Sequence, residues 1–264
     1  MLESCRPRPT RIEAKAFTAC LVLLTAVAQS VPANAADEQE ISPPPAATSL
    51  STPRSNANQD DADAGLHLGA ATAQAFGFTV LQHLVRLREE RTRQELGGAF
   101  FHDWLKAVSH TGRNWDDGNK VFTNYVAHPM GGAVYANIYR QNSPRQRRLE
   151  IGDAGYGRML VHGMVFSAVV STQFEIGPIS EASIGNVGMR NRQKMAWGDL
   201  VVTPVLGTVW MFGEDVIDQR ILKRMDGSNI VLRNALRFFL NPSRTGANLS
   251  RRKWPWYRDR DNEP

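Results

Sequence analysis

Residues 199–218 read Asp-Leu-Val-Val-Thr-Pro-Val-Leu-Gly-Thr-Val-Trp-Met-Phe-Gly-Glu-Asp-Val-Ile-Asp, an almost wholly apolar run bracketed by carboxylates. Thr203-Pro204 has the form of an N-cap followed by proline at the first helical position, which predicts a helix from Pro204 through at least Asp218, with Asp199 before it. Gly207, Met211, Glu214 and Asp218 then share one face, because positions three and four apart stack on a helix. Two carboxylates at that spacing repel when both are charged, so each needs a partner: an arginine, a shared proton or a cation.

The remaining long segments also read as helices. Apolar or amphipathic runs cover 66–87, 99–110, 119–140, 158–176, 204–224 and 229–240, and Asn241-Pro242 caps a last short helix. Period-two alternation is weak throughout, so the expected fold is mainly α, a single helical bundle over 66–250. Pro129, Pro178 and Pro204 stand beside polar residues. Proline inside a helix removes a backbone donor and bends the axis, which predicts broken helices with polar groups at the breaks.

Ahead of the bundle, residues 1–35 resemble a secretory signal. Arg6, Arg8, Arg11 and Lys15 form a basic start, 16–28 an apolar stretch, and Ala33-Asn34-Ala35 a small-residue cleavage site. Cys20 lacks a lipobox, and with Cys5 it falls within the signal, so the mature chain holds no cysteine for a disulfide, a thiolate metal site or a nucleophile. Residues 36–65 are rich in Ala, Pro, Ser, Asn and Asp and read as a disordered linker, since they cannot bury enough apolar surface to offset chain entropy. Removing the signal takes four basic and two acidic residues from 31 and 26, leaving a net charge of about +3. That mild excess comes with no nucleic-acid-binding module, so no nucleic acid is expected as a partner. Residues 251–264 form a basic, aromatic tail around Trp254 and Trp256.

Within the bundle, Asn124 and His128 stand one turn apart and are followed by Gly131-Gly132-Ala133, which lets another helix approach closely. His128 suits a general base, a ligand or a hydrogen-bonded core histidine; no second histidine stands at metal-ligand spacing. His162 reads the same way, more weakly. Ser171 lies one turn before Glu175, with Glu181 and Ser183 following. Ser171, His128 and Asp199 compose a nucleophilic triad on paper, but no nucleophile elbow surrounds Ser171.

His128-Pro129-x-x-Gly132, Ser171-x-x-x-Glu175, Glu181-x-Ser183, Asp199-x-x-x-Thr203-Pro204-x-x-Gly207 and Gly213-Glu214, in that order, resemble an uncharacterised group of bacterial envelope proteins, a domain of unknown function. The resemblance covers about 115–218, with Asn241-Pro242-x-Arg244 and Lys253-x-Pro255-Trp256 as a candidate continuation, and Phe174 stands where a tryptophan is expected. It implies an exported, envelope location and a polar cluster of His128, Glu175, Glu181, Asp199 and Glu214. It implies no known activity.

A charge count bears on membrane insertion. If four helices spanned after an external N-terminus, loops 87–120 and 177–198 would carry six and three Lys/Arg on the cytoplasmic side, against four in 140–157 and eleven from 218 onward outside. That reverses the positive-inside rule, so a periplasmic bundle partly embedded in or lying on a membrane is the expected arrangement. Two functional readings remain. The preferred one is a membrane-associated structural or interaction protein with an internal His/carboxylate network, its partner a membrane lipid or an envelope protein docking at Trp254 and Trp256. The other is an enzyme acting on a lipid or cell-wall substrate, with His128 as base and Glu175, Asp199 and Glu214 as acid or ligands of a hard divalent cation, and with Asn124, Ser171, Glu181 and Asp218 as candidate binding residues. The cofactor is left open.

Overall fold

A computed structural model describes residues 65–88, 90–109, 121–184, 197–225 and 229–260. The expected signal peptide and almost all of the linker lie outside the described residues. The described part is mainly α: helices α1 (Leu68–Arg86), α2 (Glu90–Leu96), α3 (Phe100–Ser109), α4 (His128–Gln141), α5 (Tyr156–Ile176), α6 (Trp197–Ile217), α7 (Ile230–Leu240) and α8 (Pro242–Ser250). No strand occurs among the described residues.

The centre of the bundle is α4, with α1, α5, α6 and α8 around it. Its sequence explains the position. Gly131, Gly132, Ala133 and Ala136 keep its girth small, and all but a few of its residues are buried. A Cβ placed on Gly132 would stand 1.9 Å from the Thr203 carbonyl oxygen, and one on Gly207 2.9 Å from the Ala133 nitrogen, so α4 and α6 touch backbone to backbone. Gly163 of α5 meets Ala136 the same way, its built Cβ 3.1 Å from that of Ala136. Such small-residue seams are how helices associate when packing contact, rather than a large apolar core, holds them together. In the contacts, α6 runs alongside α4 in the same direction: His128 meets Thr203 at one end and Arg140 meets Asp215 at the other. α1 runs antiparallel to α4, pairing Thr79 and Gln82 with Tyr135 and Gln74 with Asn142.

Pro204 acts differently from the sequence expectation, while Pro129 lies within a distorted helix as expected. α6 does not begin at Pro204; it begins at Trp197 and carries Pro204 inside it. Gly198, Asp199, Val202 and Thr203 are all buried, and their packing offsets the donor that proline removes. Thr203 is therefore not an N-cap; its hydroxyl faces His128. Pro129 lies inside a helix that is continuous from 121 to 141, and the turn just before it widens into a π-helical turn, Thr123–Ala127, closed by His128 N–H donating to the Thr123 carbonyl, where the helix accommodates the donor that proline lacks. α5 ends at Ile176, ahead of Gly177-Pro178, as expected.

Burial is inverted relative to a water-soluble bundle. Among the described residues, 27 polar or charged residues are buried against 16 hydrophobic ones, glycine and proline aside, whereas apolar side chains normally dominate an interior. The buried stripe of α5 runs Tyr156, Met159, Gly163, Ser167, Ser171, Glu175, while Val165 and Val169 face outward. α6 buries Asp199, Val202, Thr203, Gly207, Met211, Glu214 and Asp215 and exposes Leu206, Val209 and Phe212, and Asp218 is buried in the π-helical turn that follows it. α1 buries Ala71, Ala75, Thr79 and His83 and exposes Phe76, Leu81, Leu84 and Val85. In α7 the buried residue is Arg237, with Ile230, Val231 and Phe239 outside. Two segments, Tyr156–Ile176 and Gly198–Met225, are long and apolar enough to cross a membrane.

Candidate functional site

The π-helical turn before α4 aims His128 at the start of α6 and the end of α5. Its Nδ1 is 3.2 Å from Thr203 Oγ1 and 4.0 Å from Glu175 Oε1, and its Nε2 is 3.9 Å from Asp199 Oδ1. Glu175 and Asp199 are 3% exposed each. One ligand atom from each of these three residues can be chosen so that all lie within 4.8 Å of one another. A cation with oxygen ligands at about 2.4 Å would span that separation, and a smaller one at about 2.1 Å would draw the group in by roughly half an ångström.

A cavity of about 150 Å³ opens beside the group, lined by His128, Thr203, Ser171, Gln82, Arg86 and Glu181 among others. Glu181 bridges two residues of α1, its Oε1 3.5 Å from His83 Nδ1 and its Oε2 3.7 Å from Arg86 Nη2. Burial, followed by the Arg86 charge, holds the His83 pKa below its ordinary 6.5 despite that carboxylate. Ser171 Oγ donates to the Ala168 carbonyl at 3.1 Å, so the paper triad with His128 does not form. Asn124 is buried in the π-helical turn, one turn before His128.

The sequence-based cluster divides in two. Glu214 does not join His128, Glu175 and Asp199: it lies fifteen residues beyond Asp199 on α6, about 22 Å along the axis at 1.5 Å per residue. There it accepts from Ser243 N–H at 2.9 Å, Ser243 Oγ at 2.7 Å, Arg244 N–H at 3.2 Å and Trp210 Nε1 at 2.8 Å. Asp218 also belongs to that far end, held by Arg258 Nε at 2.8 Å, Arg237 Nε at 3.1 Å and Arg244 Nη1 at 3.6 Å. Between them, Asp215 takes both oxygens onto Arg140 Nη1, at 2.8 and 3.1 Å, and accepts from Arg244 Nη2 at 2.7 Å and Tyr156 Oη at 2.8 Å. The sequence reading missed Asp215 and its arginines. A lone arginine inside the otherwise small, apolar run of α4 was the available signal for Arg140.

Trp254 is exposed and stacks on Trp256, ring centroids 5.5 Å apart and planes 10° apart, with Lys253 Nζ 4.9 Å from the Tyr257 ring centre. The tail is anchored by Asn248, whose side-chain amide donates to the carbonyls of Pro255 and Tyr257.

These features define a class: an all-α protein with polar networks at both ends of its central helices and large apolar side chains exposed along α1, α5, α6 and α7. Within that class, the chain belongs to a family of unknown function, the domain DUF3943, which matches residues 112–243, half of its length. No curated protein and no solved structure matches it significantly.

Proposed function

We propose that this is an exported protein of the bacterial cell envelope whose helical bundle is embedded in a lipid membrane. The observation that carries the reading is the inverted burial. Val169 of α5, Val209 of α6 and Phe239 of α7 are 64%, 61% and 73% exposed, while Glu175, Asp199 and Asp215 are almost wholly enclosed. Water would oppose both halves of that distribution; lipid accommodates the first and requires the second, because ionisable groups at membrane depth must face one another. Each of α5 and α6 has 21 residues, about 31 Å of helix, close to the ~30 Å hydrocarbon thickness. The signal-like residues 1–35 support export. Alkaline carbonate extraction of membranes tests embedding: the protein stays in the pellet, whereas release into the supernatant contradicts it.

The convergence of His128, Glu175 and Asp199 beside a cavity favours a second element of the same reading, a site for a divalent cation taking nitrogen and oxygen ligands. A cation held there by His128, Glu175 and Asp199 would supply Lewis-acid polarisation of a bound oxygen. This reading retains the envelope enzyme as an alternative to a purely structural role. Manganese titration followed by electron paramagnetic resonance tests the site. Stoichiometric binding to the full-length protein in detergent, abolished by Glu175→Gln, supports it; equal signals from the two proteins refute it.

A further inference from the structure

The cavity of about 150 Å³ beside His128 has walls that the cation reading does not use: Gln82 and Arg86 of α1, Thr123 and Ala127 of the π-helical turn, and Gly131 and Tyr135 of α4. We propose that this cavity receives the head group of one glycerophospholipid, whose acyl chains lie on the outward face of α1 and on Phe122 and Tyr125.

The walls supply the polar half of the fit. Gln82 Oε1 accepts from Tyr135 Oη at 2.9 Å, and Thr79 Oγ1 lies 3.2 Å from the same phenol. That chain fixes the Gln82 amide and leaves its Nε2 with no hydrogen-bond partner among the described residues. A Cβ built on Gly131 would meet only that nitrogen, at 3.9 Å, so the glycine keeps the space between α4 and Gln82 open. An amide donor beside open space suits a phosphate or ester oxygen. Size agrees. At ~15 Å³ per water-sized group, a cavity of about 150 Å³ holds about ten of them. The phosphate and ethanolamine of a phosphatidylethanolamine count about eight non-hydrogen atoms on the same scale, whereas an oligosaccharide head group exceeds it.

The rim supplies the apolar half. One step round α1 from Gln82 and Arg86, Leu81 and Val85 are 59% and 60% exposed. On the other side, next to Thr123, Phe122 is 67% exposed. Both walls therefore lead outward onto large apolar side chains. A polar floor beneath an apolar rim matches an amphiphile, while a water-soluble ligand has no use for the rim.

Depth supplies the remaining argument, and it rests on the embedding proposed above. Glu175 stands in the last turn of α5 and Asp199 in the first turn of α6. Where these helices cross the hydrocarbon, the cavity beside them lies at its boundary, the level of lipid ester and phosphate groups.

Native mass spectrometry of the full-length protein in detergent tests the proposal by counting bound lipid during titration with dioctanoylphosphatidylethanolamine. Glycerophosphoethanolamine, the same head group without chains, is the second probe. Gly131→Leu grows a side chain into the gap before Gln82 and replaces none of His128, Glu175 and Asp199. One saturable lipid adduct, weakened at least tenfold in a Gly131→Leu protein that still unfolds cooperatively, supports the proposal. Equally tight binding by that folded variant overturns it, as do unsaturable multiple adducts on the wild type. Equal affinity for glycerophosphoethanolamine overturns the lipid assignment and gives the cavity to a water-soluble ligand. Should Gly131→Leu not fold, Gln82→Met, which removes the amide donor and keeps the side-chain length, replaces it under the same tenfold criterion. Carbonate extraction reads embedding separately. A protein released there that still takes one lipid in detergent refutes embedding alone; a protein retained there that takes none refutes the lipid site alone.

Discussion

Gly132→Ala probes the seam on which both ends of the bundle depend. The added Cβ would stand 1.9 Å from the Thr203 carbonyl oxygen and 2.7 Å from its carbon, both backbone atoms that no rotamer change can move. A carbon–oxygen contact needs about 3.3 Å, so α4 and α6 must separate by roughly 1.4 Å. Overpacking of this kind costs typically 1–3 kcal/mol, and the better helix propensity of alanine returns at most ~1 kcal/mol. The net expectation is a loss of about 1–2 kcal/mol, read as a fall in Tm of roughly 2–8 °C for a domain of this size. Gly213→Ala is the matched control, since nothing stands within 4 Å of its Cβ; it should be neutral or stabilising by up to ~1 kcal/mol. The same separation pulls Thr203 Oγ1 away from His128 Nδ1, now 3.2 Å apart, so manganese affinity should fall in Gly132→Ala and hold in Gly213→Ala. Thermal unfolding of the three proteins in one detergent settles the point. A Gly132→Ala protein as stable as the Gly213→Ala control would refute backbone contact between α4 and α6.

Asp218→Asn should destabilise by about 3–5 kcal/mol, because it leaves Arg237, Arg244 and Arg258 around a neutral amide; chemical denaturation checks it, and a change under 1 kcal/mol contradicts the charge network. Glu214→Gln keeps the shape but leaves Ser243 and Arg244 N–H donors facing an amide in place of a carboxylate, so stability should fall by ~1–3 kcal/mol while manganese binding at the distant His128 group is retained. His83 has a folded pKa below its ordinary 6.5, so the unfolded chain binds the extra proton first as pH falls. Its contribution is constant above about pH 6.5 and becomes a loss of stability below it. A His83→Gln protein should show a flatter stability profile between pH 7 and pH 5.

Much of the fold is legible because helix boundaries are local chemistry. Asn229 caps α7, its Oδ1 accepting Leu232 N–H at 3.0 Å, and the apolar runs of α5 and α6 announce themselves by composition. α2 escapes because Glu-Arg-Thr-Arg-Gln-Glu-Leu presents no apolar stripe. Pro204 misleads because a local rule for helix starts is overridden by burial of the preceding turn against α4, a contact 70 residues distant in sequence. His128, Glu175 and Asp199, which the fold brings together, are each singled out in the sequence, but Glu214 and Asp218, grouped with them there, lie at the other end of α6. Periodicity places Glu214 on the buried face of α6 and Asp218 just beyond it, but the cluster joining Asp199 to Glu214 rests on the order of motifs in the resemblance, which carries no distance along the axis, and about 22 Å separates the two. Their partners could not be read at all: the donors to Glu214, Asp215 and Asp218 come from α4, α5, α7, α8 and the tail as well as from α6 itself, and only the tertiary fold collects them.

Embedding in lipid is tested most directly by spin labels on the outward faces of α5 and α6. Cys5 and Cys20 are the only cysteines, so a Cys5→Ser, Cys20→Ser background carrying Val169→Cys or Val209→Cys gives one label per protein in reconstituted vesicles. Collision with oxygen, which concentrates in hydrocarbon, and with a water-soluble nickel chelate is then compared by electron paramagnetic resonance. A lipid-embedded bundle gives high oxygen and low nickel accessibility at both positions, while high nickel accessibility at both would place these faces in water and contradict it.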